Sequence, residues 1–292
     1  MRNTPRPDSP PLRSPEPGRG DPEKTAPALL ITGATGPLAE PIVRVLADRG
    51  HRLLLTGRNA ERLADLDRRY GAPGVIETFQ ADAAQPDGAQ QAAARAAERF
   101  DGLGGLVHLI GRFGFGPVML TDVAVYDELI MSNFRSAVVA TQAVLPHLTE
   151  GGRLVYFSTP LAVEPLAALS AYSAAKAALT TWVRSMAHEV KRRGIHANVV
   201  SMTIADTPKM RAERPGLDLD HTVDPALVAR AVGFLTSPES DGLYGSVVPV
   251  LGKFSYSSAL AGGPPPGVGG PPPGARTSAA PATGAPAQAG AR

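Results

Sequence analysis

The 292-residue chain has no cysteine, no apolar run long enough to cross a bilayer and no block of like charge. Without thiols it forms neither disulfides nor thiolate metal sites, which suits a reducing compartment. A membrane span needs about 18 or more consecutive apolar residues, and none is present; the N-terminus also lacks the apolar core of a secretory signal. The 29 basic and 27 acidic residues are interspersed and leave a net charge of +2, so no nucleic-acid surface is expected. His51, His147, His188, His196 and His221 stand apart without metal-ligand spacing, and surface or structural roles are expected for them. These absences point to a cytoplasmic protein with no metal, membrane or nucleic-acid partner.

What is present divides into three parts. Residues 1–27 are crowded with Pro, Arg, Asp, Glu and Ser, hold no apolar run able to offset ordering entropy, and are expected to be disordered. Residues 262–292 repeat GGPPPG and continue in Ala, Pro and Gly, a composition suited to a disordered, solvated tail. Between them, residues 28–261 read as one α/β domain. Seven short β-type runs (ALLIT, LLLTG, VIETF, LVHLI, RLVYFS, IHANVVS and SVVPV) alternate with segments of helical spacing such as PIVRVLADRG, which closes on Gly50. Short apolar strands separated by helices predict a parallel sheet covered on both faces and built by right-handed crossovers. The expected fold class is α/β: a Rossmann-type, doubly wound, mainly parallel sheet of seven strands.

The first run leads into Thr32-Gly-Ala-Thr-Gly-Pro-Leu-Ala39 and then a helix. A glycine-rich turn in this place lets backbone N–H groups approach a pyrophosphate, aided by the partial positive charge of the helix N-terminus; a tight turn without a ligand is the alternative. Gly33 is expected to supply the turn, Gly36 the close approach, and Pro37 the first helical turn. At the end of the second run, Leu55-Thr-Gly-Arg-Asn59 has Gly57 where a carboxylate would accept from a ribose 2′-hydroxyl, and Arg58 follows it. That favours NADP over NAD, with a solvated loop role for Arg58 as the alternative.

Farther along, Tyr172-Ser-Ala-Ala-Lys176 sets a phenol and an ammonium four residues apart, on one face of any helix that forms there. Hydride addition to a carbonyl leaves an oxygen that must take a proton, and a phenol does this better beside a cation. An alanine-rich helix also contains such a pair by chance.

Together these residues resemble the short-chain dehydrogenase/reductase family. The resemblance rests on TGATGPLA, LTGRN, Asp82, SNFRSAVVATQAVLPHL with Asn133, GGRLVYFST, YSAAK and the closing SPESDGLYGSVVPVLG, and spans nearly all of residues 28–252. It implies a catalytic set of Asn133, Thr159, Tyr172 and Lys176, with Tyr172 as general acid/base. It implies that Lys176 binds the nicotinamide ribose and lowers the phenol pKa, and that Asn133 holds a water linking the lysine to solvent; viewed alone, Asn133 also reads as a buried amide making one backbone contact. Thr159 stands thirteen residues before Tyr172, where the family has its serine; Ser158 is the alternative. Cofactor contacts are expected at Thr32, Gly33, Thr35, Gly36, Pro37, Leu38, Arg58, Asp82, Gly111, Tyr172, Lys176, Ile204 and Thr207. In the family, the helices containing Asn133 to Leu148 and Tyr172 to Arg193 pair between subunits, and their Ala/Val/Leu content fits a homodimer or homotetramer.

Three stretches depart from the family. Its NNAG becomes His108-Leu-Ile-Gly111, its PG becomes Met202-Thr203, and TGATGPLA has the spacing of the family's extended or atypical branches. Residues 208–224, which would cover the substrate, are short and charged, so a small or polar carbonyl or alcohol substrate is expected. Phe113, Phe115 and Met119 either wall the site or pack beneath a helix. The leading expectation is an NADP-dependent oxidoreductase. The departures motivate a rival, a non-catalytic NADP-binding regulator, and the proline-rich ends a second, an interaction scaffold.

Overall fold

A computed structural model describes residues 26–216 and 222–252. The two segments expected to be disordered therefore lie outside the described residues, apart from Ala26 and Pro27. Those two open the first strand, β1 (Ala26–Thr32), two residues before the expected start of the α/β domain. Ala26 pairs with His51, and the Pro27 carbonyl meets His51 Nδ1 at 2.9 Å, which holds them to the sheet.

The remaining elements alternate as expected. After β1 come α1 (Ala39–Asp48), β2 (His51–Gly57), α2 (Ala60–Tyr70), β3 (Ile76–Gln80), α3 (Pro86–Phe100) and β4 (Leu103–His108). The second half continues with α4 (Val123–Ile130), a π-helical turn at Met131–Arg135, α5 (Ser136–Val144), β5 (Leu148–Ser158) and α6 (Ser170–Val190). Then follow β6 (His196–Met202), β7 (Ile204–Ala205), α7 (Pro208–Glu213), β8 (Thr222–Val223), α8 (Pro225–Leu235) and β9 (Val247–Val250). Gly50 takes the left-handed conformation that ends α1, with its N–H on the Ala47 carbonyl at 2.9 Å.

Seven strands form one parallel sheet in the order β3-β2-β1-β4-β5-β6-β9. Side chains alternate across it because successive strand residues point to opposite faces. Leu30, Leu54, Leu106, Leu154 and Val199 join α3, α5 and α6 in one core, while Leu29, Leu53, Val107, Val155 and Val200 join α1 and α8 in the other. The strand order reverses between β1 and β4, which opens a crevice at their carboxyl ends, where doubly wound sheets bind ligands. The β7–β8 pair escaped the sequence reading because two residues per strand carry no legible alternation.

The apolar stretches expected to pair between subunits are largely absorbed by the chain itself. Ala137, Val139, Ala140, Ala143 and Val144 of α5, with Leu179, Val183, Met186 and Ala187 of α6, are all buried in the first core. Among the described residues, no helix is long and apolar enough to cross a membrane.

Candidate active site

The turn after β1 meets the backbone after β4. Gly33 has φ +72, and a Cβ there would lie 2.9 Å from the Ile110 nitrogen, so the position needs glycine for both conformation and room. The Gly36 N–H returns to the Gly33 carbonyl at 2.9 Å, and the Ala39 N–H to the Gly36 carbonyl at 3.2 Å. These turns delay the helix to Ala39, which places Pro37 in the turn before α1 and not in its first turn. Side chains of Asn59, Asp122, Thr207 and Asp224 cap α2, α4, α7 and α8, whereas α1, like α3, α5 and α6, has no side-chain cap. The first N–H groups of α1 thus lack a side-chain acceptor at the crevice, as an anion site requires.

Thr32 is placed differently from expectation. It is fully buried, and its hydroxyl meets His108 Nδ1 at 2.8 Å, so it faces the core and not the crevice. Thr35 stands against Gly57: a Cβ at Gly57 would come 2.9 Å from the Thr35 methyl. Arg58 is exposed, and its carbonyl accepts from Gln80 Nε2 at 3.1 Å. Arg62, not singled out in the sequence, donates from Nη1 to the Thr35 carbonyl at 3.0 Å and adds a second guanidinium here. Its only signal was its place three residues after the Asn59 cap. Asp82 uses its carboxylate on the Ala84 N–H at 3.2 Å, in the turn before α3.

The phenol and ammonium do share one face of α6. Lys176 is buried and donates from Nζ to the Phe157 carbonyl at 2.9 Å, with Nζ 6.0 Å from the Tyr172 ring centroid. Burial pushes the Lys176 ammonium down to about 8 and the Tyr172 phenol up to about 12. In this geometry, then, desolvation sets the phenol, and the lowering expected from Lys176 is not what dominates.

Asn133 lies in the π-helical turn, a distortion often found at functional sites. It is fully buried; Nδ2 donates to the carbonyls of Arg112 (2.9 Å) and Leu129 (3.0 Å), and Oδ1 accepts from the Arg112 N–H at 3.2 Å. Gly111 brings Asn133 and Lys176 together, because a Cβ there would meet Asn133 Oδ1 at 2.8 Å and Lys176 Nζ at 3.3 Å. Only Ile110 separates this contact from the one at Gly33, so the turn and the phenol–ammonium face share one rim.

Ser158 and Thr159 point to different tasks. The Ser158 hydroxyl is buried against Thr180 Oγ1 at 2.7 Å, beside the Lys176 carbonyl. Thr159 Oγ1 accepts only a long 3.4 Å contact from the Leu161 N–H and is the less committed hydroxyl. Thr180 carried no sequence signal beyond its place four residues after Lys176.

His108 stands first in the stretch where the family has NNAG, and its ring is buried in a network. The Ser136 hydroxyl gives its proton to the Ser132 carbonyl at 2.7 Å, so it accepts from His108 Nε2 at 3.1 Å. Nδ1 is then unprotonated and accepts from Thr32. The ring ties β1, β4 and α5 together, and burial, helped by the nearby Lys176 charge, drives its pKa down to about 3.

Over this floor stand two loops. Phe113 meets the Tyr172 ring edge-on at 5.1 Å, and neither Phe113, Phe115 nor the 89 % exposed Met119 packs beneath a helix. From the other side, Ile204 is exposed, Thr207 caps α7 through the Met210 N–H at 3.1 Å, and Asp206 is held by Arg211 at 2.6 and 2.7 Å.

Comparison with known proteins adds to this geometry. A family model described as enoyl-(acyl carrier protein) reductase matches residues 33–252. An uncharacterized oxidoreductase of Bacillus subtilis is 29 % identical over 238 residues, covering 76 % of this chain and 96 % of its own. A short-chain dehydrogenase of Burkholderia cenocepacia, solved in complex with NADP, is 30 % identical with a TM-score of 0.68, covering 78 % of this chain and 97 % of that one. A blue fluorescent protein from a metagenomic library, solved in complex with NADPH, is 29 % identical with a TM-score of 0.72, covering 78 % and 98 %.

Proposed function

The chain belongs to the short-chain dehydrogenase/reductase family of oxidoreductases, and we propose that it reduces a carbonyl substrate with NADPH, Tyr172 being the proton donor. The observation that carries this is the single rim on which the uncapped turn of α1, Asn133, Tyr172 and Lys176 meet. The turn of Gly33, Thr35, Gly36, Pro37 and Leu38 would hold the pyrophosphate. Asp82, Gly111, Ile204 and Thr207 would border the rest of the cofactor.

NADP(H) is favoured over NAD(H) on three grounds. Arg58 is free to pair with a 2′-phosphate, Arg62 adds positive charge beside the turn, and Thr35 fills the space an acid at Gly57 would need. The NADP and NADPH complexes among the similar structures agree with this reading.

When bound, the nicotinamide supplies the hydride. Tyr172, kept protonated well above neutral pH by burial, gives its proton to the oxygen that becomes the alcohol. Lys176, charged below about pH 8, holds positive potential beside that phenol and would hold the ribose. Thr159 would donate a hydrogen bond to the same oxygen. Asn133 fixes Arg112 and the approach to Lys176. The departure from NNAG weighs less for the regulator reading, because His108, at its first position, joins β1, β4 and α5 by two hydrogen bonds.

The test is calorimetric titration with NADPH and NADH, followed by a panel of carbonyl compounds read by NADPH absorbance. Tight NADPH binding without oxidation across the panel would move the weight to a regulator. A homodimer or homotetramer now rests on the family's helix pairing alone, and light scattering showing a monomer at micromolar concentration would overturn it.

A further inference from the structure

Resting on the reductase reading above, we propose that Arg214 binds an anionic group of the substrate, so that the preferred substrates are carbonyl compounds carrying a carboxylate near the reacting carbon. Arg214 follows α7, and its N–H donates to the carbonyl of buried Met210 at 2.9 Å, which ties it to the fold. Its guanidinium carbon lies 5.2 Å from the Phe113 ring centroid, and that ring lies edge-on to Tyr172. Guanidinium and phenol thus both contact the Phe113 ring, which links the charge to the proposed proton donor.

The neighbouring cations are already neutralised. Arg112 pairs with Glu128 at 2.7 Å, Lys209 with Glu213 at 3.7 Å, and Arg211 with Asp206 through two hydrogen bonds. Among the described residues of these loops, Arg214 is the cation with a ring contact and no carboxylate partner. A cation over a ring face keeps its N–H donors, and a guanidinium offers them as a planar fork matched to a carboxylate. The Phe113 ring beneath it is about half exposed and offers an anion no polar partner of its own. An acid reduced here would take the hydride at its carbonyl carbon and the Tyr172 proton at oxygen, leaving as a hydroxy acid with its carboxylate unchanged.

The probes are 2-oxo-2-phenylacetate and its methyl ester, titrated by calorimetry into the full chain loaded with NADP⁺, so that no hydride moves during binding. The acid is expected to bind about tenfold or more tighter than the ester. Arg214→Ala should bring the two within about twofold without changing the affinity for ester or NADP⁺, and Arg214→Lys should keep part of the preference. Equal binding of acid and ester by the wild type, no binding of the acid, or a preference that survives Arg214→Ala overturns the proposal. So does an Arg214→Ala variant that loses NADP⁺ affinity instead, since the arginine would then serve the cofactor. Oxidation of NADPH by the same compounds separates the two readings. Acid-selective binding with no turnover of either compound supports the anion site and counts against the reductase; turnover that ignores the charge does the reverse.

Discussion

Beneath the carboxyl edge of the sheet, Asn133, Ser158 and Lys176 are buried and spend their polar atoms on the chain itself, whereas Met119 and Leu120, over the same edge, are 89 % and 84 % exposed. The floor is buried and tightly bonded: Asn133 and Lys176 each hold a backbone carbonyl, and a buried group left without its partner costs about 1–3 kcal/mol. The walls are wet, and their residues pack on little. Chemistry that needs fixed pKa values and fixed distances belongs on the floor, and recognition that differs from one substrate to another belongs on the walls.

The largest effect should come from taking the one transferable proton off the floor. Tyr172→Phe is expected to lower kcat by about 10²–10⁴-fold while leaving the NADPH dissociation constant nearly unchanged, measured by turnover and calorimetry on the same preparation. Full activity in that variant would make the Tyr172–Lys176 spacing an accident of an alanine-rich helix.

A second experiment asks whether the floor is as dry as its burial indicates. His108 stays neutral in the folded chain down to about pH 3, whereas in the unfolded chain it takes a proton near 6.5. Between those values the unfolded state binds more protons, so stability falls as pH drops from about 6.5 toward 3. The loss reaches on the order of 4 kcal/mol at the acid end. His108→Asn keeps a donor and an acceptor and titrates nothing in this window, so its urea midpoint should fall less steeply between pH 6.5 and 4. Parallel slopes for the two proteins would mean that water or a rearrangement relieves the charge.

This division also explains what was legible in the sequence. The seven strands of the main sheet and the alternation with helices were readable, because Leu29 to Thr32, Leu53 to Gly57 and their counterparts are apolar runs of strand length bounded by helical spacing. Floor residues announced themselves through motif spacing. What stayed hidden depends on contacts distant in sequence: the 76-residue separation of Thr32 and His108, the turn of Arg62 toward Thr35, and the contacts of Phe113 with Tyr172 and Arg214. Thr32 was misjudged for the same reason, since position in a cofactor turn does not say which way a hydroxyl points.

Cofactor choice lies on the border between the two regions, where a buried contact sets the response to an exposed arginine. One charge-assisted hydrogen bond is worth about 1.5–3 kcal/mol, so Arg58→Ala should narrow the NADPH-over-NADH preference by about tenfold to a hundredfold in dissociation constant. Gly57→Asp should weaken both cofactors, because its Cβ would come 2.9 Å from the Thr35 methyl before any carboxylate reached a ribose. Clean conversion to NADH binding by Gly57→Asp alone would show that Thr35 yields easily. Equal affinity of the wild type for the two cofactors would remove the NADP assignment.

The smallest effects should separate two adjacent hydroxyls, one on the floor and one at its edge. Ser158→Ala removes a hydroxyl from a buried pair, but Thr180 Oγ1 keeps its 2.8 Å bond to the Lys176 carbonyl, so its partner is not orphaned. The expected result is a loss of about 1 kcal/mol in stability, with kcat changed little. Thr159→Ala gives up only a 3.4 Å contact within the chain, so its stability should hardly move, and its kcat should fall through loss of a donor to the reacting oxygen. Thr159→Ser should restore most of that rate, since the hydroxyl returns and only a methyl is missing. If Ser158→Ala carries the kinetic loss and Thr159→Ala the thermodynamic one, the working hydroxyl is one residue earlier in β5, and the boundary between floor and edge moves with it.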